Sequence, residues 1–151
     1  DGSLYPGYYT PYDRYIRINK LLSEKNSFLL DDFQLMAFDD VSPVTPQIAR
    51  VLVDGISESV KNQNKINQDV ARKLIRWDGS HGLHDVEPTI YYKFLYHVFY
   101  EAMGDELGKE KLDAYFMTHV SKNSYLSFVS NENSVWWNKV NTKDVVESTI
   151  E

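Results

Sequence analysis

Apolar residues recur at three- and four-residue spacing along most of the chain, and no stretch of strand length alternates cleanly between apolar and polar. Because 3.6 residues complete a helical turn, this spacing predicts helices that each bury one face. It confines the chain to a mainly helical fold with little or no sheet. The one run that could alternate is Tyr125-Leu126-Ser127-Phe128. Start and stop signals divide the pattern into about seven helices.

Pro11 opens the first, whose Tyr15, Ile18, Leu21 and Leu22 share a face, and Asn26-Ser27 ends it. Asp31 is the expected cap of a short helix from Asp32 to about Phe38. Thr45-Pro46 reads as a cap followed by proline at the first helical position, with Ile48, Leu52 and Ile56 in line beyond it. The polar run Lys61 to Lys65 predicts a solvated loop before a helix from about Asn67 to Trp77, stopped by Asp78-Gly79. Glu87-Pro88 opens the longest helix, to Met103, with Ile90, Phe94 and Val98 on one side and Tyr91, Leu95 and Ala102 beside them. Two apolar stripes predict a helix buried on most of its circumference. Gly104 and Gly108 predict a turn before a helix from Lys109 to His119, and Thr142 the cap of a terminal helix from Lys143. Residues 1–10, rich in Gly, Pro and Tyr, predict an irregular lead-in.

The 151 residues fit a single helical subdomain over 1–151. No cysteine is present, which excludes disulfides, thiolate nucleophiles and thiolate zinc sites. Twenty-two acidic against sixteen basic side chains give a net charge of −6, which argues against a nucleic-acid partner. The apolar stretch from Pro88 to Met103 carries Lys93, His97 and Glu101, so it predicts no membrane span. A start at Asp1 without methionine or signal suggests an excised or processed piece.

Candidate chemistry is sparse. His81, His84 and Asp85 look like metal ligands, but they lie in a Gly-rich loop without a second ligand pair, whereas zinc needs three or four converging donors. His97 and His119 are expected as satisfied, partly buried histidines. Asp31-Asp32 and Asp39-Asp40 sit at helix boundaries, where capping explains carboxylates better than acid–base work. Trp136-Trp137 and the cluster Tyr5, Tyr8, Tyr9, Tyr12 and Tyr15 could line a groove, although aromatic clusters more often supply core area. No nucleophile elbow and no phosphate-binding glycine loop appears.

Five segments in order carry a resemblance. They are Tyr5-Pro6-Gly7-Tyr8-Tyr9 with Asp13-Arg14-Tyr15-Ile16-Arg17-Ile18 and Leu21-Leu22; Leu35-Met36-Ala37-Phe38-Asp39; Leu74-Ile75-Arg76-Trp77-Asp78-Gly79; Asp85 with the aromatic helix Ile90 to Phe99; and Trp136-Trp137 with Thr142-Lys143-Asp144 and Glu147. Together they resemble the penicillin acylase (penicillin amidase) family, although Gln34 sits earlier than that pattern expects. The resemblance implies an internal helical segment of the larger chain of an αββα N-terminal-nucleophile hydrolase. In such enzymes the freed N-terminal serine attacks an amide carbonyl with its own α-amino group as base. The implied substrates are penicillins, cephalosporins or acyl-homoserine lactones, and the implied setting is periplasmic or secreted.

The resemblance carries one functional position onto this chain, Arg14, which orients the oxyanion asparagine or meets a polar substrate group. The nucleophile and that asparagine are expected in the rest of the parent, so the segment is expected to be structural and inactive alone. Its partners would be the remainder of the parent acylase and, in the parent, a small amide substrate. Arg17 is expected to pair with a carboxylate such as Asp39. No cofactor or metal ligand is assigned here, although the resemblance allows a structural calcium in the parent. Two other readings stand beside this one: a free-standing helical interaction module with the tyrosine cluster as its binding surface, and a small metal hydrolase using His81, His84 and Asp85.

Overall fold

A computed structural model describes residues 12–137, apart from the side chain of Ser59. The predicted lead-in over 1–10, Tyr5, Tyr8 and Tyr9, and the helix predicted from Lys143 lie outside the described residues. Seven α-helices follow in order, α1 (Asp13–Ser23), α2 (Leu30–Ala37), α3 (Thr45–Gly55), α4 (Glu58–Lys61), α5 (Lys65–Arg76), α6 (Glu87–Phe116) and α7 (His119–Val129), and then a 3₁₀ turn, Val135–Trp137. Among the described residues the fold is mainly helical and has no strand.

The core forms where α3 packs on α5 and α7, and both of those on α6. Ile48, Leu52 and Val53 of α3 and Leu74 of α5 meet Tyr91, Leu95, Val98 and Phe99 of α6, all almost fully buried. Burying such side chains contributes about 1.5–3 kcal/mol each. Ile90 and Phe94 are half-buried beside them, so α6 is apolar around most of its girth, as its two stripes predict. Phe99 lies at the centre, 4.5 Å from the ring of Phe128 and edge-on to Tyr125 at 5.3 Å. Trp137 closes this layer over Phe128, also at 4.5 Å, and its indole N–H donates to Asn131 O at 2.7 Å.

Several boundaries differ from the sequence expectation, each for a local reason. Thr45 is the first residue of α3 and not its cap. Ser42, three residues earlier, takes the Thr45 N–H on its hydroxyl at 3.0 Å. At α2 the capping carboxylate is Asp32, which accepts the Leu29 N–H at 2.9 Å; Asp31 is exposed. Helix α5 starts two residues before Asn67 because Asn64 accepts the Asn67 N–H on its side chain. Helix α6 runs through Gly104, and only Gly108 is non-helical, at φ 71° and ψ 160°. It ends at Phe116, since Thr118 caps α7 by accepting the Ser121 N–H. The run Tyr125 to Phe128 is part of α7 and not a strand, with Tyr125 and Phe128 on its buried face.

Candidate functional site

Arg14 and Arg17 stand three apart on α1, one turn along the same face. Asp39 follows the end of α2, whose last carbonyls lack helical partners. Arg17 grips the Asp39 carboxylate with two parallel bonds, Nε to Oδ1 at 2.9 Å and Nη2 to Oδ2 at 2.6 Å. This is the pairing expected for Arg17, and the fork geometry of guanidinium suits it. The bond from Arg17 holds the Asp39 carboxyl below its ordinary range, against a smaller opposing effect of burial. Asp39 is therefore the anchor of an arginine clamp and not the helix cap that its position suggested.

Arg14 reaches the same helix end differently. Its Nη2 donates to Met36 O at 2.7 Å and its Nη1 to Asp39 O at 2.9 Å, and Nη1 lies 3.6 Å from the Asp39 carboxylate. The side chain is still 47% exposed. Arg14 is thus a fixed, charge-compensated guanidinium with one open side.

The neighbouring residue ties this clamp to the core. Asp13 Oδ2 accepts the Ser42 hydroxyl at 2.7 Å, and the Ser42 N–H donates to Gly79 O at 2.9 Å. Gly79 belongs to the Trp77-Asp78-Gly79 turn. There the buried Trp77 donates its indole N–H to Ser80 O at 2.8 Å, and Asp78 accepts the Ser80 N–H at 3.0 Å. Each member of that tripeptide has a separate structural task. Sequence spacing showed the turn but not its clasp on Ser42, because nothing local marks a partner dozens of residues away.

Beside Arg14 a cavity of about 490 Å³ opens between α1, the start of α3, α6 and α7. Asp13, Thr45 and Tyr91 are among its lining residues, and Asp13 Oδ1, Thr45 Oγ1 and the Tyr91 hydroxyl are buried oxygens without a hydrogen-bond partner among the described residues. Burial pushes the Tyr91 phenol well above its usual range, so it stays neutral. A larger surface groove, about 640 Å³, runs past Arg72, Lys73 and Arg76. Pairs between Arg72 and Asp69 and between Lys73 and Glu87 compensate its charge internally.

The histidine loop is occupied with structural bonds. His81 places Nδ1 at 2.7 Å from Gly79 O and Nε2 at 3.3 Å from the Tyr92 hydroxyl, with its ring against Trp77. Asp85 accepts the Ser80 hydroxyl and the Gly82 N–H, which lower its pKa. His84 points to solvent. No group of three possible metal ligands occurs among the described residues. His97 and His119 are exposed and not partly buried, since they fall on outward-facing positions of α6 and α7. Tyr12 and Tyr15 are exposed, Trp137 is buried and Trp136 half-buried, and of these four Tyr12 lines the cavity beside Arg14 whereas the other three do not.

Fold and site together define a mainly helical chain whose most organised polar feature is a pair of arginines locked onto one helix end. The penicillin amidase family model matches residues 2–150, and the chain belongs to that family. No curated protein and no solved structure matches it.

Proposed function

We propose that this chain is a helical segment of a larger acylase, active in the periplasm or outside the cell. That acylase hydrolyses the amide bond of penicillins or cephalosporins, or acts on acyl-homoserine lactones. In this reading the chain supplies Arg14 as a positioning residue, and the nucleophilic serine and the oxyanion donors come from the rest of the protein. The observation that carries it is how Arg14 is held. Two backbone carbonyls and the nearby Asp39 fix and compensate its head group while one side stays open. Arg17 already serves the structural need at this helix end, so a second arginine there is free to orient a neighbouring group.

Membership of the family supports the acylase assignment. Packing against the catalytic remainder is supported by α1 and α2, which bury no residue fully and leave Leu30, Leu35 and Phe38 exposed. The test is Arg14→Lys in the complete enzyme, assayed on phenylacetyl and long-chain acyl amides. Lysine keeps the charge but cannot reproduce the fixed fork. kcat is expected to fall about 100-fold, as for a misoriented reacting group, with KM little changed and the melting temperature close to wild type. An unchanged kcat would remove Arg14 from the machinery.

A further inference from the structure

We propose that a groove between the end of α3, α4, α5 and α6 binds a medium-chain aliphatic carboxylate as a single free molecule. Its volume is about 540 Å³, within the roughly 300–1,000 Å³ typical of small-molecule sites. Val53, Ile56, Val60, Val70, Leu74 and Phe94 build its walls, and each of them is buried or half-buried. Five of these six are aliphatic, so a hydrocarbon chain lying along them removes apolar surface from water. Polar groups on the walls are already engaged. The Asn67 side-chain amide donates to Val60 O at 2.9 Å, and Lys61 Nζ donates to the Glu58 carboxylate at 2.9 Å.

Charge decides the head group. Lys61, Lys93 and His97 line the groove, and no carboxylate does. Lys93 and His97 stand four apart on α6, so they are neighbours on one face, and both are exposed. The Lys93 ammonium lies 5.8 Å from the centre of the Tyr96 ring and pairs with no carboxylate among the described residues. A carboxylate head therefore meets an uncompensated cation at the rim while its tail covers the walls. An ammonium head would meet Lys93 with like charge, and a neutral head would gain no ion pair. The groove shares no lining residue with the cavity beside Arg14, so the inference does not depend on the acylase reading.

The experiment is calorimetric titration of the complete protein at low salt with octanoate, and with octylammonium as a probe of equal tail and opposite charge. Saturable octanoate binding is expected, at least about tenfold tighter than octylammonium, since one head attracts Lys93 and the other repels it. Each methylene removed from octanoate should weaken binding about three- to fourfold. Lys93→Gln should weaken octanoate at least about threefold. Thr89→Glu places a carboxylate at a lining position four residues before Lys93, in the first turn of α6, where an acid favours the helix. It should weaken octanoate at least about threefold and tighten octylammonium by a similar factor, a gain that loss of fold cannot produce. Absence of saturable octanoate binding, as when the rest of the protein covers the groove, would overturn the proposal. So would octylammonium binding as tight as octanoate, or octanoate binding that neither variant weakens, as at a site elsewhere in the protein.

Discussion

Gly79 has the tightest constraint among the described glycines that an added Cβ would bring into contact. Its φ is +95°, a region that costs an L-residue about 1–2 kcal/mol. A Cβ added there would also fall 1.9 Å from Ser42 O, a backbone atom of the residue whose own N–H is bonded to Gly79 O. Gly79→Ala should therefore lower stability by at least about 2 kcal/mol, read from the urea midpoint. A loss under about 0.5 kcal/mol, the size of an ordinary surface change, would mean that the clasp is loose. The same residue shows why sequence reading reached only halfway. Asp78-Gly79 announces a helix stop through composition alone. The reason that position must be glycine lies on a different loop, and one chain carries no record of that approach. Arg17 with Asp39 was legible because a resemblance placed both residues in adjoining motifs. Asp13 with Ser42 was not, because serine is common in loops and its pairing left no pattern.

At the scale of elements, the two glycines of α6 separate what composition suggests from what backbone geometry demands. Both look like turn residues in sequence. Gly104 is nevertheless helical, and an added Cβ would touch only the Tyr100 ring, at an ordinary 3.8 Å. Gly108, with φ 71° and ψ 160°, occupies a region open almost solely to glycine. Gly104→Ala should raise stability by about 0.5–1 kcal/mol through better helix propensity and a less flexible unfolded chain. Gly108→Ala should lower it by about 1–3 kcal/mol, although nothing lies within 4 Å of the new methyl. Thermal unfolding of the two variants side by side checks the pair, and equal shifts would contradict the kink. Helix periods were readable where aliphatic residues recur on one buried face, as in α3 and α5. They failed in α7, where Tyr125 and Phe128 lie three apart with Leu126 and Ser127 between them. Such a short aromatic run satisfies both periods, and packing on Phe99 decides between them.

For the whole molecule, burial is unevenly shared between the two ends of the described chain. The core draws on α3, α5, α6 and α7, whereas α1 and α2 are fastened mainly by polar bonds: Arg14 and Arg17 to the end of α2, and Asp13 to Ser42. Most of their apolar residues are left uncovered, with Leu35 72% and, just past α2, Phe38 86% exposed. Sequence periodicity could show that these helices are amphipathic but not what covers them, since a stripe facing a neighbour reads like a stripe facing a core. If the rest of the acylase covers this face, its apolar side chains stabilise the assembled enzyme and contribute almost nothing to this chain alone. The double substitution Leu35→Asp and Phe38→Asp separates those two contributions. Unfolding of the 151-residue chain should change by no more than about 0.5 kcal/mol, as for exposed positions. In the complete acylase the same pair would place two carboxylates in an apolar contact, where each unpaired charge costs several kcal/mol. Active enzyme recovered from equal expression should then fall at least about tenfold, a loss of about 1.4 kcal/mol or more. Full recovery of activity would show that this face stays in solvent and that the helices meet the catalytic part through another surface.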